Sequence, residues 1–212
     1  MWNNPSDSCS VLDLLQQTPG QLVVISGPSG SGKTTVLRQV FERCPWLESS
    51  VSATTRAPRP GEVNGEDYFF LSKEDFAARR ARGEFLECFE VFGRGHWYGT
   101  LQSEVAPRLA AGKWVVLEID VEGTLAVLQT YPDAVTIFLR PETVAELERR
   151  LIARGTESPE AIQRRLEVAR HELEFIDRYQ HKVVNETIDQ AVDDICQLLE
   201  RTREQAAASA AS

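Results

Sequence analysis

Residues 27–34 have the composition of a phosphate-binding loop. They read GPSGSGKT and fit the pattern G-x-x-x-x-G-K-[ST] without a mismatch. An apolar run precedes them and apolar residues at helical spacing follow them, which is the context that such a loop requires. Glycines let successive backbone N–H groups point at phosphate oxygens, and the start of the next helix adds positive potential. The residues expected to contact a nucleoside triphosphate are Gly27, Pro28, Ser29, Gly30, Ser31, Gly32, Lys33, Thr34 and Thr35.

Two side chains of this loop suit defined steps in phosphate chemistry. The Lys33 ammonium can bridge the β and γ phosphates, and the Thr34 hydroxyl is of the type that binds Mg²⁺. Mg²⁺ together with a nucleoside triphosphate is therefore expected at this loop. The alternative is a glycine-rich turn without a ligand, and the flanking strand and helix favour the phosphate loop. The loop by itself does not identify the acceptor.

A second candidate site follows at residues 52–68, which read SATTRAPRPGEVNGEDY. Arg56 and Arg59 are three apart on a stretch stiffened by proline and glycine, an arrangement that can clamp a dianionic phosphate. Tyrosine hydroxyls such as that of Tyr68 can donate further hydrogen bonds. The alternative for each residue taken singly is a solvated loop charge or a core tyrosine.

Further charged residues lie near predicted element ends. Arg150 and Arg154 are four apart on one predicted helix, and Arg165 is on the next, so a lid that closes over ATP would carry them. The alternative is an ordinary charged helix face, since Glu146 precedes Arg150 by four residues. Glu118 and Asp120 end an apolar strand, where ligands gather on parallel sheets. They could hold the Mg²⁺ hydration shell or orient an arginine, or Asp120 could cap a helix.

Strands and helices that alternate along the chain must position these groups. Such alternation predicts an α/β fold with a parallel sheet covered on both faces. Predicted strands cover residues 21–26, 51–55, 68–71, 85–92, 114–119, 135–139 and 182–184. Predicted helices cover residues 33–43, 73–82, 101–111, 122–130, 141–154, 159–179 and 190–203, and a glycine-rich turn is expected at 93–99.

Composition narrows the class of protein. The chain has 212 residues, 42% of them hydrophobic, and a formal net charge of −9. An acidic chain repels polyanions, so binding to nucleic acid or to an anionic membrane is not expected. The four cysteines (Cys9, Cys44, Cys88 and Cys196) show neither zinc nor redox spacing, and no apolar run reaches about 18 residues. These features indicate a soluble, cytoplasmic protein with reduced thiols.

The ordered set of motifs resembles the guanylate kinase family, in its bacterial single-domain form. Besides the two segments above, it includes FLE at 85–87, YGT at 98–100, EIDVEG at 118–123 and RLIARG at 150–155. The resemblance covers residues 20–203 and implies a P-loop NTPase fold with an inserted mixed β lobe that binds GMP and a helical lid. The implied divisions are an N-terminal extension (1–19), a core (20–51, 102–149 and 182–205), a GMP-binding lobe (52–101), a lid region (150–181) and a disordered tail (206–212).

The resemblance also implies roles for individual residues. A carboxylate can accept both N–H groups of guanine while hydroxyls donate to its O6 atom, and adenine cannot satisfy that set. The implied carboxylate is Glu87, and the implied hydroxyls are those of Ser52 and Thr100. The alternative for Glu87 is an exposed residue on an alternating strand. The resemblance assigns GMP binding to Ser52, Arg56, Arg59, Tyr68, Glu87, Tyr98, Thr100, Glu118 and Asp120, catalysis to Lys33, Arg56, Arg154 and Arg165, and ATP binding to Arg150 and Asn185 besides the loop.

The implied reaction transfers the γ-phosphoryl group of ATP to GMP, and also to dGMP, giving ADP and GDP in purine metabolism. The chain departs from the family pattern at Glu118, where many members have Asp, and at a longer turn over residues 93–98 in which Trp97 is the first aromatic residue. Two alternatives are a kinase of this fold for another small molecule and a guanylate-kinase-like module that binds phosphopeptides. The sequence does not distinguish a monomer from a homo-oligomer.

Overall fold

The computed structural model describes residues 20–90, 95–153 and 159–210, which form two β-sheets and their flanking helices. The strands are β1 (Gln21–Ser26), β2 (Leu47–Ser49), β3 (Ser52–Thr54), β4 (Phe69–Phe70), β5 (Phe85–Glu90), β6 (Trp97–Leu101), β7 (Trp114–Glu118), β8 (Val135–Arg140) and β9 (His181–Val184). The helices are α1 (Lys33–Arg43), α2 (Lys73–Ala81), α3 (Gln102–Ala110), α4 (Val121–Thr130), α5 (Val144–Ala153), α6 (Pro159–Glu174) and α7 (Ile188–Ala210).

The larger sheet is parallel throughout and has the strand order β2-β7-β1-β8-β9. Its central strand β1 alternates sides: Leu22 and Val24 face the cluster that holds α3 and α4, whereas Val23 and Ile25 face α1 and α7. Both faces are therefore buried, which explains why β1 is a continuous apolar run. The predicted α/β fold with a parallel sheet flanked by helices is confirmed.

The smaller sheet has the order β4-β3-β6-β5 and draws its strands from residues 52–101. Strand β6 runs antiparallel to both β3 and β5, whereas β3 and β4 are parallel. Its core packs Phe76 of α2 against Phe85 and Leu101, and the two phenyl rings stack with centroids 4.4 Å apart. This mixed sheet also agrees with the prediction. Strand β5 packs against α4, and this contact joins the two sheets.

Strand β6 was not predicted, because its glycines were interpreted as a turn. The sequence prediction had a turn at 93–99 followed directly by a helix from residue 101, whereas residues 97–101 form a strand at the centre of the smaller sheet. Gly99 is needed there for close strand approach rather than for a turn: a Cβ atom on it would lie 2.7 Å from both Cys88 Cβ and the Glu87 carbonyl oxygen. The three-residue strand β2 was also missed.

Helix lengths near the carboxyl terminus differ from the predicted ones. Helix α6 ends at Glu174, and a short 3₁₀ turn, Ile176–Arg178, follows it instead of a continuous helix to residue 179. Helix α7 runs through to Ala210, past the position at which a disordered tail was predicted. Helices α5 and α6 pack on each other through Leu147, Leu151 and Leu166. No helix in the described part of the chain has the length and hydropathy to span a membrane.

Candidate active site

A cleft of about 420 Å³ opens between the two sheets. It is large enough for a small ligand, and it continues into a second depression over the phosphate loop. The cleft brings together residues that are far apart in the sequence. Predicted site residues among its lining are Gly27, Ser29, Lys33, Ser52, Tyr68, Glu87, Tyr98, Glu118 and Asp120.

The phosphate loop connects the end of β1 to the start of α1. The carbonyl of Gly32 accepts the first hydrogen bond of that helix, from the Val36 N–H at 3.0 Å. Gly32 has a φ of 93°, a left-handed conformation that glycine adopts without strain. The loop therefore places its N–H groups at a helix amino terminus, where phosphate binds favourably.

Lys33 folds back over the phosphate loop. Its ammonium donates to the carbonyl oxygens of Gly27 at 2.5 Å and Pro28 at 3.2 Å. Burial lowers the pKa of Lys33, while the negative charges of Glu118, Glu172 and Asp120 oppose that shift. The cation is thus held beside the loop by weak neutral acceptors, which an anionic phosphate can replace.

Asn185 supports the phosphate loop from behind. Its side-chain amide donates to the Ser31 carbonyl at 2.6 Å, and the residue is only 2% exposed. A Cβ atom on Gly32 would lie 2.5 Å from this amide nitrogen, so a larger residue at position 32 would displace it. The sequence assigned Asn185 to ATP binding. In this structure its side chain contacts the backbone of the phosphate loop.

Thr34 and Glu118 form the pair that fits a magnesium ion. The Thr34 hydroxyl donates to Glu118 Oε1 at 3.0 Å. A hydroxyl and a carboxylate are hard oxygen ligands, and Mg²⁺ at such sites needs only one or two protein oxygens besides phosphates and water. Clusters of three or more acidic, His or Cys ligands are absent from the described residues, and a nucleotide-bound Mg²⁺ does not need one.

Three polar side chains align across the smaller sheet. In the strand registers, Ser52 on β3 pairs with Thr100 on β6, and Thr100 pairs with Glu87 on β5. Thr100 is fully buried, and its hydroxyl has no well-aligned hydrogen-bond partner. The predicted base-reading set is therefore a continuous row across the sheet, with the buried Thr100 hydroxyl between Ser52 and Glu87.

Glu87 is a buried carboxylate and not the exposed strand residue of the alternative interpretation. It is 8% exposed, and burial raises its pKa to about 7, a shift that the nearby Thr100 hydroxyl partly counteracts. Its Oε2 atom reaches the first turn of α4, since a Cβ atom on Gly123 would lie 3.2 Å from it. Carboxylates with raised pKa values in clefts are typical of functional sites.

Arg56 lies in a cage of aromatic and acidic side chains. Glu62 receives two of its N–H groups at 2.9 Å each, and the Tyr98 hydroxyl accepts from Nε at 3.2 Å. The guanidinium also lies over the rings of Tyr68 and Phe70, 5.4 and 5.7 Å from their centroids. The hydrogen bonds to Glu62 raise the pKa of Arg56, and burial raises the pKa of Tyr68, so a cation and a protonated hydroxyl face one spot.

Arg59 and Asp120 were also predicted to bind the acceptor, and both make other contacts in the structure. Arg59 is exposed, and its backbone N–H, not its side chain, contacts Glu62 at 2.7 Å. Asp120 caps α4 by accepting from the Gly123 N–H at 2.8 Å, as its alternative interpretation held, yet it still lines the cleft.

The predicted lid arginines differ in their contacts. Arg165 on α6 donates to the Ser29 hydroxyl of the phosphate loop at 2.9 Å. Arg150 on α5 pairs with Glu146 at 2.9 Å, as expected for a charged helix face, and also donates to the Asn185 carbonyl at 3.0 Å. Arg154, predicted to be catalytic, lies outside the described residues.

Two acidic residues of the site were not identified from the sequence. Glu62 accepts hydrogen bonds from Arg56. Its position three residues after Arg59 on the same loop could have identified it from the sequence. Glu172 lines the cleft from α6, and nothing in its local sequence distinguishes it from the other charged positions of that helix. None of the three histidines is among the residues that line the described cleft.

Comparison with known proteins gives a consistent result. The guanylate kinase family model matches residues 19–202. A guanylate kinase from Rhodopirellula baltica is 54% identical over 199 residues, covering 93% of this chain and 94% of that protein. One from Gloeobacter violaceus is 51% identical, with 84% and 86% covered. The crystal structure of guanylate kinase from Anaplasma phagocytophilum matches with a TM-score of 0.73 at 30% identity, covering 89% of this chain and 88% of that one.

Proposed function

The chain belongs to the guanylate kinase family, and from this premise we propose how its residues carry out the transfer of the γ-phosphoryl group of ATP to GMP. The observation that supports the proposal best is that Ser52 and Glu87, which flank Thr100 in the strand registers, line the same cleft as Lys33. Residues 52–101 act as the GMP-binding lobe, and residues 150–181 as the lid of the P-loop core.

The donor side of the cleft takes the ATP phosphates. The loop N–H groups and the Lys33 ammonium offset the charge that develops as the phosphoryl group moves. Thr34 and Glu118 are the residues that would hold Mg²⁺, which supplies charge neutralisation on the phosphates. Arg165 reaches the loop at Ser29 and is close enough to add positive charge to the donor. Arg150 and Arg154 complete this set on the lid.

The acceptor side reads the base and holds the GMP phosphate. The ionised Glu87 carboxylate accepts from N1 and N2 of guanine, and the hydroxyls of Ser52 and Thr100 donate to its O6. The GMP phosphate lies at Arg56, Arg59, Tyr68 and Tyr98. Its attacking oxygen is already ionised, so the step needs no general base, in keeping with a cleft that no histidine lines.

When GMP binds, its phosphate replaces Glu62 as the hydrogen-bond partner of the Arg56 guanidinium. Glu62 occupies the guanidinium with two hydrogen bonds and also accepts from the Arg59 N–H. These bonds lower the pKa of Glu62, so it stays ionised. Glu62 therefore holds the Arg56 guanidinium where it can bind a phosphate. A phosphate offers the same bidentate geometry with more negative charge.

The wider setting is part of the same proposal. Activity towards dGMP is expected, because the contacts proposed above involve the base and the phosphate of GMP and not its ribose. The reaction would return GMP to the guanine nucleotide pool of purine metabolism. A cytoplasmic location is part of this proposal, and the free thiols of Cys44, Cys88 and Cys196 among the described residues support it.

The experiment that tests this function is a coupled ADP-release assay with ATP and Mg²⁺, comparing GMP and dGMP with AMP, CMP, UMP and dTMP. The wild-type chain is expected to turn over GMP and dGMP only. Glu87→Ala should lower kcat/KM for GMP by about 10²-fold or more, because it leaves guanine N–H groups unpaired in a dry pocket.

Glu90→Ala is the matched control, since Glu90 is exposed on the same strand. It should leave GMP turnover unchanged. Turnover of another nucleotide in preference to GMP would replace the acceptor assignment. A folded protein that turns over none of them, but binds GMP or a phosphopeptide, would favour the interaction module.

The pH dependence of GMP binding should follow Glu87. Its pKa of about 7 in the free protein leaves it partly protonated at pH 6, and a protonated carboxyl cannot accept both guanine donors. The KM for GMP is therefore expected to fall as pH rises from 6 to 8, by up to about tenfold per pH unit. Steady-state kinetics of wild type and Glu87→Gln would check this.

The Gln variant separates Glu87 from the GMP phosphate, which also titrates near neutral pH. Its KM should be higher and should keep only the pH dependence of the phosphate. Equal pH dependence in both proteins would exclude Glu87 as the titrating group.

A further inference from the structure

Glu172 is a buried carboxylate for which the reaction described above has no role. It lies on α6, is 7% exposed, and lines the cleft beside Lys33. Its Oε2 atom has no hydrogen-bond partner. A buried carboxylate without full pairing is costly, and a cleft that receives polyanions is an unfavourable place for one unless it contacts something specific.

The groups that face Glu172 belong mostly to the phosphate loop. The Lys33 ammonium and the Ser29 N–H stabilise its charged form, whereas Asp120 opposes it; burial is the dominant effect and raises its pKa to about 7. His171, the preceding residue on α6, contributes a weaker favourable charge. Glu172 thus faces the loop from the lid side.

A second side chain of α6 reaches the same loop residue. Arg165, seven residues before Glu172 and so on the same helix face, donates to the Ser29 hydroxyl at 2.9 Å. Ser29 is therefore approached by α6 at both its side chain and its backbone N–H. Asn185 holds the loop on its other side through the Ser31 carbonyl.

We propose that Glu172 is a positioning residue that aligns Ser29 and Lys33 of the phosphate loop for the ATP phosphates and fastens α6 to that loop. The inference rests on the proposed donor role of the loop. Glu172 acts through Lys33 and the Ser29 backbone and does not itself contact the transferred group. Its loss would leave the loop and Lys33 free to take conformations that bind ATP poorly.

The test compares Glu172→Ala, Glu172→Gln and, as a matched control on the same helix, the exposed Glu174→Gln. The KM for ATP should rise about tenfold or more in the Ala variant, because a hydrogen bond to a charged group is lost. The Gln variant, which keeps an acceptor for the Ser29 N–H but not the charge, should lie between Ala and wild type. The KM for GMP should change less than about twofold, and Glu174→Gln should match wild type.

Equilibrium binding of ATP without GMP, followed by calorimetry, gives the same comparison without turnover. An unchanged ATP affinity in folded Ala and Gln variants would overturn the proposal. So would equal losses of ATP and GMP affinity with a lowered Tm, since that pattern indicates a merely structural role. If the Ala variant does not fold, the isosteric Gln variant carries the test. A wild-type chain that turns over no nucleotide would instead refute the proposed function.

Discussion

Replacing Lys33 with methionine should lower kcat/KM for phosphoryl transfer by about 10³-fold or more. Lys33 is a partly buried cation of the phosphate loop, and its ammonium donates to two loop carbonyls. Loss of one preorganised charge-stabilising group in a water-poor site typically lowers rates by about 10²–10³-fold, and a cation that faces phosphates belongs at the upper end. Steady-state assays with ATP and GMP varied in turn would measure the effect.

Methionine retains the aliphatic bulk of lysine, so the cleft should keep its shape. The matched control is Lys73→Met, at the exposed first position of α2, which should retain wild-type rates. Both variants should be compared by thermal unfolding. A folded Lys33→Met protein with more than a tenth of wild-type kcat/KM would contradict the role given to this lysine.

Replacing Arg56 with alanine should raise the KM for GMP by about 10²-fold and leave the KM for ATP within about twofold. The guanidinium lies within the cage of Glu62, Tyr68 and Tyr98, and the Arg56 side chain is 13% exposed. Removing it leaves Glu62 with only the Arg59 N–H of the contacts described and takes a guanidinium from the incoming phosphate, so two anions would share a site with less positive charge. Kinetics with each substrate varied at saturation of the other separates the two KM values.

Arg82→Ala provides the control for loss of positive charge in the same lobe. Arg82 pairs with Glu84 on the surface with 59% of its side chain exposed, and such pairs contribute little. Its variant should show wild-type KM values. A rise in the KM for ATP as large as that for GMP in Arg56→Ala would place this arginine between the substrates instead of on the acceptor.

Local patterns predicted most of the core correctly, because there each pattern has one physical cause. Strand β1 is buried on both faces and is therefore uniformly apolar, and the phosphate loop follows it at a fixed spacing. The prediction missed β6 because glycine occurs both in turns and where strands pack closely, and the two uses look alike in sequence. Gly99 serves close packing of neighbouring strands, and only the partner strand β5 reveals this.

The candidate site was predictable where motifs are contiguous and was not where contacts join distant segments. The loop residues were predicted from their spacing, and Arg56 was predicted from its spacing to Arg59 together with the family resemblance. The burial of Glu87 depends on its neighbours across the sheet and on α4, and the contacts of Glu172 depend on how α6 packs on the phosphate loop. The second contact of Arg150, to the Asn185 carbonyl, joins residues 35 positions apart, beyond any local pattern.

The short gap between Gly123 and Glu87 limits how base recognition can change in evolution. A Cβ atom at position 123 would come within 3.2 Å of both Glu87 Oε2 and the Asp120 carboxylate, so even alanine there disturbs the carboxylate that reads the base. A smaller residue at position 87 would relieve that contact, but it would remove the carboxylate proposed to bind guanine. The residue at position 123 is therefore restricted to glycine as long as Glu87 keeps its proposed role in binding the base.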